Sequence, residues 1–183
     1  MKPRSSIVTP GTTPHPTLNF AYGSNMLTAR IRERVPSARA LGVATLKGHQ
    51  LRWHKASKDG SGKCDVFAAS DIDCVYGVLY ELSLSDKDAL DRAEGLGRGY
   101  SERRVDVNFM GDTVAASVYY ATAVDPMLKP YSWYKELVVA GARQHGLPPE
   151  YIQALQGAGA MDDANLARHA KNMALLQLTA QTL

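Results

Sequence analysis

The stretch LNFAYGSNM, residues 18–26, decides the fold because it joins a strand directly to a helix. The apolar residues before Gly23 predict a short strand that this glycine ends. A helix is expected from about Met26 to Arg34, because Leu27 and Ile31 lie four residues apart on one face. The folded part of the chain is therefore expected to begin with a strand that turns at once into a helix.

Outward from this stretch, the rest of the chain has the pattern of an α+β protein. Cys74–Leu82 is apolar on both faces, which predicts a strand in the centre of a sheet. Val105, Val107 and Phe109 alternate with polar residues, as in a strand with one wet face. After residue 130 the apolar residues recur at helical spacing. We expect a largely antiparallel sheet that can close into a barrel.

The composition is that of one globular domain. The 183 residues carry a formal net charge of +3 at pH 7, too small to imply a nucleic-acid or membrane partner. Residues 1–16 are rich in Pro, Ser and Thr and are expected to form a disordered tail, followed by a single domain over residues 17–183. Two cysteines fit no disulfide framework, and no apolar leader is visible, so a cytoplasmic protein is expected.

The spacing of residues excludes several familiar catalytic motifs. Ser24 lacks the flanking glycines of a nucleophile elbow, and the glycines of residues 95–99 do not complete a G-x-G-x-x-G motif. No two of the five histidines have the four-residue spacing of a zinc-binding helix. Arg30, Arg32 and Arg34 fall on one short helix, and we expect them on a solvated face rather than on a phosphate.

The tetrapeptide Tyr22-Gly23-Ser24-Asn25 lies where the predicted strand gives way to the predicted helix. Such a junction leaves backbone N–H groups unpaired at the positive end of a helix dipole, which favours a bound carboxylate or phosphate. Gly23 lets the backbone approach a ligand closely, and the next two residues add donors. The alternative is that Ser24 or Asn25 only caps the helix.

Glu94 is the candidate acid or base. It lies four residues after Leu90 in a helix predicted from about Asp86 to Gly95, so it shares the inward face of that helix. The last turn of a helix disfavours negative charge, and so does burial, which makes this carboxylate a better base than an exposed one. The alternative is that its side chain reaches water or pairs with Arg92 or Arg98.

Several segments together resemble the gamma-glutamylcyclotransferase family. The resemblance covers roughly residues 18–157, and its order and spacing are more specific than the tetrapeptide alone. The segments that carry it are FAYGSNM at 20–26, PSA at 36–38, GVLYE at 77–81, LDRAEG at 90–95, YKE at 134–136, GA at 141–142 and GLPPEY at 146–151. The asparagine of the tetrapeptide fits the general branch of the family better than the glutathione-specific branch.

The resemblance implies a small mixed β-barrel flanked by helices, and it implies roles for particular residues of the site. It implies that the loop from Ala21 through Tyr22, Gly23, Ser24 and Asn25 holds the γ-glutamyl group, that Glu94 is the general acid/base, and that Tyr134 lines the site. It also allows a homodimer. This chain differs from the family in its Gly97-Arg98-Gly99 loop, which bears on the preference for the leaving group.

The implied activity is cyclisation of the γ-glutamyl part of a small molecule to 5-oxoproline, with release of an amino acid or amine. The substrate supplies its own nucleophile, so neither an enzymic nucleophile nor a metal or organic cofactor is required. A noncatalytic module that binds γ-glutamyl or other small ligands is the alternative. A third hypothesis, an interaction protein, would use the 30–34 helix together with Arg168, His169 and Lys171.

Overall fold

The described part of the chain, residues 16–180 of a computed structural model, contains seven strands and five α-helices. The strands are β1 (Thr17–Ala21), β2 (Arg39–Lys47), β3 (His49–Ala56), β4 (Gly62–Ala68), β5 (Cys74–Leu82), β6 (Tyr100–Phe109) and β7 (Asp112–Ala121). The helices are α1 (Thr28–Arg34), α2 (Leu84–Glu94), α3 (Ser132–Gln144), α4 (Pro149–Gly157) and α5 (Leu166–Ala180). Of the predicted tail, residues 1–15 lie outside the described residues.

Five strands close into a mixed barrel in the order β1-β5-β2-β6-β7, as the predicted fold class requires. Strand β5 pairs antiparallel with β1 on one edge and with β2 on the other, so it is a central strand, as predicted. The parallel pair between β1 and β7 completes the ring. There the buried Asn19 donates its Nδ2 hydrogens to the carbonyl and hydroxyl oxygens of Ser117, at 3.3 and 3.2 Å.

The two remaining strands, β3 and β4, form a separate antiparallel hairpin beside the barrel. Its turn falls within the polar, glycine-containing segment 58–63, where the sequence predicts a flexible turn. The hairpin is fixed to the barrel at Asp65, whose Oδ1 accepts a hydrogen bond from the backbone N–H of Ala121 at 2.7 Å. This places Cys64, the residue before that carboxylate, at the mouth of the barrel.

The helix predicted from Met26 to Arg34 is divided in two. A short 3₁₀ turn occupies Ser24–Met26, and helix α1 starts after Leu27, which has an extended backbone. The strand-to-helix junction is therefore present, but it begins two residues earlier than predicted. Ile31 and Leu27 are both fully buried, which confirms the predicted apolar face.

Helix α2 ends as predicted. Gly95 adopts the left-handed conformation that glycine favours, with φ 71° and ψ 45°, and its N–H bonds to the carbonyl of Arg92 at 3.2 Å. The helix begins at Leu84, slightly before the predicted start. Leu90 is fully buried, so the face it shares with Glu94 points toward the barrel.

Helix α3 packs against the turn that follows β1, and a glycine makes this contact possible. A Cβ atom on Gly141 would lie 2.5 Å from the backbone nitrogen of Leu27 and 2.8 Å from the carbonyl carbon of Met26. No side chain fits in that space. No helix within residues 16–180 has the length and apolarity needed to cross a membrane.

We expect Gly141→Ala to destabilise the protein by about 1–3 kcal/mol, because the new methyl group forces α3 away from the turn after β1. The measurement is the free energy of unfolding from chemical denaturation. Gly157→Ala is the matched control, since a Cβ at this helical glycine meets no atom within 4 Å. Equal stabilities of the two variants would contradict the packing described for α3.

Candidate active site

A cavity of about 340 Å³ opens at the end of strand β1, between the barrel, the β3–β4 hairpin and the last turn of α2. All seven residues predicted for the site line it: Ala21, Tyr22, Gly23, Ser24, Asn25, Glu94 and Tyr134. They come from three separated parts of the chain. The structure therefore brings together the loop, the carboxylate and the tyrosine that the sequence analysis singled out.

Gly23 lies where the cavity wall leaves little room for a side chain. A Cβ atom there would lie 3.1 Å from the hydroxyl oxygen of Tyr134 and 3.2 Å from the Cβ of Cys64. These contacts are tighter than ordinary van der Waals distances, so a side chain would push the loop away from its neighbours. The absence of a side chain also keeps the backbone of this loop open to the cavity.

The loop presents backbone donors to the cavity. Within residues 16–180, no acceptor is found for the N–H groups of Gly23, Ser24 and Asn25, whereas the next two N–H groups bond back to the loop carbonyls. Three consecutive amides without partners can bind a carboxylate or a carbonyl oxygen. The alternative prediction that Ser24 or Asn25 caps the helix is wrong, because neither the 3₁₀ turn nor α1 has a side-chain cap.

The side chain of Asn25 instead binds Glu94. Asn25 Nδ2 donates to Glu94 Oε1 at 2.7 Å, and Arg34 donates to the same oxygen at 2.6 Å. Arg34 also donates to Asn25 Oδ1 at 2.9 Å, which closes a triangle of three side chains. Both donors use Oε1, and no described residue donates to Oε2. One oxygen of the carboxylate is thus fixed while the other remains for a ligand.

The triangle decides between the two hypotheses for Glu94. Its side chain is 15% exposed and forms its ion pair with Arg34, not with Arg92 or Arg98. Because α2 ends at this residue, the helix dipole opposes its negative charge, as expected from the sequence. The guanidinium of Arg34 acts in the opposite sense and stabilises the ionised carboxylate. The effect of Arg34 was not predicted, because the two residues lie far apart in the sequence.

The expectation that Arg30, Arg32 and Arg34 form a solvated face is wrong for two of the three. The side chains of Arg30 and Arg34 are only 14% and 19% exposed, and Arg34 contacts the candidate base. Arg32 is exposed and donates to the carbonyl of Ala38. Arg30 and Arg34 thus lie on the buried face of α1 and Arg32 on its exposed face. The sequence could not predict this, because all three arginines are equally polar.

Two tyrosines fix the hairpin to the site through the backbone of Cys64. Tyr134 accepts a hydrogen bond from the Cys64 N–H at 3.2 Å, and Tyr100 donates to the Cys64 carbonyl at 2.6 Å. Burial raises the pKa of both phenols well above the usual value, so they remain neutral hydrogen-bonding groups. Tyr22 is used structurally too, since its hydroxyl donates to the carbonyl of Tyr119 at 2.5 Å.

Five further residues of the cavity wall were not predicted from the sequence: Asn19, Phe20, Cys64, Tyr100 and Tyr119. Asn19 and Phe20 directly precede the predicted loop and could have been found by extending it. The other three come from β4, β6 and β7. The β6–β7 hairpin places Tyr100 and Tyr119 on neighbouring strands, but no local pattern distinguishes them from other strand residues. Only the packing of the β3–β4 hairpin beside the barrel brings Cys64 to them.

Comparison with known proteins gives consistent results. A model of the AIG2-like family matches residues 74–155. The gamma-glutamylcyclotransferase of Bos taurus is 35% identical over 144 residues, which cover 75% of this chain and 76% of that protein. The gamma-glutamylcyclotransferase of Homo sapiens is 34% identical over 145 residues, covering 76% of this chain and 77% of that protein.

The fold is shared with a solved structure as well. A gamma-glutamyl cyclotransferase superposes with a TM-score of 0.76 at 31% sequence identity. The superposition covers 82% of this chain and 92% of the other chain. The similarity therefore extends over nearly the whole of the solved protein.

Cys64 is the one thiol that lines the cavity, and its environment keeps it protonated. Burial raises the pKa of the Cys64 thiol to about 12. We expect iodoacetamide at pH 8 to modify the half-buried Cys74 first and Cys64 only after denaturation, because the thiolate is the reactive form. Peptide mass spectrometry measures both sites in one sample. Equally rapid modification of Cys64 in the folded protein would make it a candidate nucleophile.

Proposed function

The chain belongs to the gamma-glutamylcyclotransferase family, and from this premise we propose that it converts the γ-glutamyl part of its substrate to 5-oxoproline, with Glu94 as the proton-transferring group. The observation that carries this proposal is the position of Glu94 in the same cavity as the unpaired amides of residues 23–25. Acid/base chemistry and binding of an oxygen can therefore take place on one small molecule.

The proposed reaction needs no nucleophile from the protein. The α-amino nitrogen of the substrate attacks its own γ-carbonyl carbon and forms a five-membered lactam, while the bond from that carbon to the leaving nitrogen breaks. The α-nitrogen loses two protons as an ammonium becomes a lactam N–H, and the leaving nitrogen gains two. No water is consumed. A buried neutral thiol at Cys64 is consistent with this route, since no acyl-enzyme is required.

Glu94 can relay these protons through the oxygen that its neighbours leave free. Oε1 is held by Asn25 and Arg34, so Oε2 is the atom proposed to accept a proton from the α-amino group and to return one to the leaving nitrogen. General acid/base catalysis by a positioned carboxylate contributes typically about 10²–10⁴ in rate. Fixing one oxygen keeps the other in a constant direction during both transfers.

The loop of residues 21–25 is proposed to position the γ-glutamyl group. Its three unpaired N–H groups suit the α-carboxylate or the γ-carbonyl oxygen, where negative charge develops as the ring closes. Orientation alone can greatly increase the rate of such a reaction, because effective molarities of well-aligned intramolecular reactions reach about 10⁵–10⁸ M. A cytoplasmic location and a homodimer stay predictions.

The test of function is incubation with γ-glutamyl-alanine and identification of the product. We expect 5-oxoproline and free alanine from the intact protein, and a fall of about 10²–10⁴ in kcat/KM for Glu94→Gln. Glutamine retains the oxygen that Asn25 and Arg34 bind but cannot accept a proton near neutral pH. Chromatography identifies the products, and the melting temperature of the variant shows whether it is folded.

Other outcomes of this experiment would contradict the proposal in different ways. Free glutamate in place of 5-oxoproline would mean hydrolysis by water. Saturable binding of the dipeptide without any product would favour the noncatalytic module. Substantial turnover by a well-folded Glu94→Gln variant would assign the proton transfer to another group.

Arg34 is proposed to position Glu94 rather than to contact the reacting atoms, and its neighbour on α1 provides a control. We expect Arg34→Gln to lower kcat/KM by about 10²-fold, because the carboxylate loses its charged partner and its fixed orientation. Arg32→Gln removes the same charge from an exposed position and should leave kcat/KM within about twofold. Similar losses of kcat/KM in both variants would mean that charge acts generally, and would contradict a specific role of Arg34 in positioning Glu94.

A further inference from the structure

A second chamber of about 510 Å³ adjoins the cavity and shares part of its wall. Ser24, Glu94, Tyr100 and Tyr134 line both spaces. The wall of the second chamber otherwise differs, because four cationic side chains line it: Arg30, Arg34, Lys55 and Lys63. Glu94 is the single carboxylate among its lining residues. A space with this charge, beside the candidate base, is suited to an anionic part of a ligand.

Two of the four cations each form an ion pair with a carboxylate of the protein. Arg34 binds Glu94 and Asn25. Lys63 Nζ donates to Asp59 at 2.9 Å and to the hydroxyl of Ser61 at 2.7 Å, and it also lies 4.6 Å from the ring centre of Trp133. Neither group needs a ligand to compensate its burial.

Arg30 is only partly compensated. Its guanidinium donates to Glu33 at 3.1 Å, but Glu33 is 37% exposed, so this pair is weakened by water. Its Nε is buried and has no hydrogen-bond partner. Burial is the main reason why the pKa of Arg30 lies below its usual value. An additional acceptor near this side chain would satisfy it.

Lys55 is the cation with the least compensation. The residue is 7% exposed, yet its ammonium makes no ion pair or hydrogen bond with any residue between 16 and 180. Nζ lies 4.6 Å from the centre of the Tyr100 ring, a cation–π contact that replaces only part of the lost hydration. Burial lowers the pKa of Lys55, and the negative charge of Glu94 opposes this effect. The ammonium thus lines the chamber without an acceptor from the described residues and is available to an anionic ligand.

The loop that contains Gly99 passes close to the Lys55 side chain. A Cβ atom on Gly99 would lie 3.1 Å from Lys55 Cε and 3.3 Å from its Nζ, at a positive φ of 122° that glycine tolerates. The Gly99 carbonyl accepts a hydrogen bond from Thr122, which secures the loop to the strand end. The side chain of Lys55 therefore passes close to Gly99, where a larger residue would crowd it.

We propose that this chamber is the subsite for the leaving group and that it favours leaving amino acids with two carboxylates, such as glutamate or aspartate. This inference rests on the proposed function. Every leaving amino acid brings one carboxylate, and the chamber contains two cations that lack full compensation, Arg30 and Lys55. A dicarboxylic amino acid supplies an acceptor for each. Lys55 is assigned to the side-chain carboxylate.

The experiment compares two dipeptides that differ in one charge, γ-glutamyl-glutamate and γ-glutamyl-glutamine. We expect kcat/KM to be about tenfold or more higher for the first, because a charge-assisted hydrogen bond is roughly twice as strong as a neutral one. In Lys55→Met, which keeps the length of the side chain without its charge, the ratio should fall to about one. Lys58→Met is the control, since Lys58 is exposed and does not line the chamber, and its ratio should match the original protein.

The ratio in the unmodified protein tests the inference even if Lys55→Met does not fold. A ratio near one there, with 5-oxoproline formed from both dipeptides, would overturn the subsite and leave the proposed function intact. A high ratio that persists in a folded Lys55→Met variant would overturn the assignment of Lys55. No 5-oxoproline from either dipeptide would contradict the proposed function itself, and the subsite with it.

Discussion

The turn after β1 passes through a space too narrow for side chains, and the rest of the site depends on this. A Cβ at Gly77 would lie 2.5 Å from the carbonyl oxygen of Ala21, and one at Gly141 would lie 2.5 Å from the nitrogen of Leu27. A Cβ at Gly23, between them, would lie 3.1 Å from the hydroxyl oxygen of Tyr134 and 3.2 Å from the Cβ of Cys64. Three glycines thus allow a strand, a helix and a hairpin to meet around one loop. These close contacts restrict the loop, and its N–H groups at residues 23–25 have no acceptor among the described residues.

The same loop determines where the carboxylate lies. Asn25 belongs to the loop and Arg34 to the helix that follows it, and both bind Oε1 of Glu94. The last turn of a helix and partial burial each disfavour a charged carboxylate, and a guanidinium at 2.6 Å offsets them. The result is a carboxylate that two donors orient and that is largely shielded from bulk water. These are the properties a proton relay needs, and no single element of the chain supplies them all.

The two adjoining spaces differ in charge, and this difference has a chemical use. Four tyrosines and the loop after β1 line the first space, and none of its lining residues is cationic, which suits a γ-glutamyl group held by hydrogen bonds. Four cationic side chains line the second space, which suits an anionic leaving group of the proposed substrate. Glu94 lies on the boundary, where the bond between the two parts of the proposed substrate would be broken. Specificity for the leaving group can therefore change through Lys55 and its loop without altering the first space.

The sequence by itself determined the local features of this protein. The two apolar faces of β5, the strand-to-helix junction at Tyr22–Asn25, the glycine end of α2 and the inward position of Glu94 follow from periodicity and turn chemistry, which act over a few residues. The family resemblance added Tyr134, and all seven residues predicted for the site are among the twelve that line the cavity.

Only the tertiary structure decided which charges meet those residues. Arg34 was expected in solvent because arginines on a short helix show no preference of face, and its contact with Glu94 exists only because α1 lies against the end of α2. Lys55, Cys64, Tyr100 and Tyr119 come from four different strands and reach the site when the barrel closes and the hairpin packs on it. Electrostatic and packing interactions of this kind depend on distances in space, and the order of residues along a chain does not contain those distances.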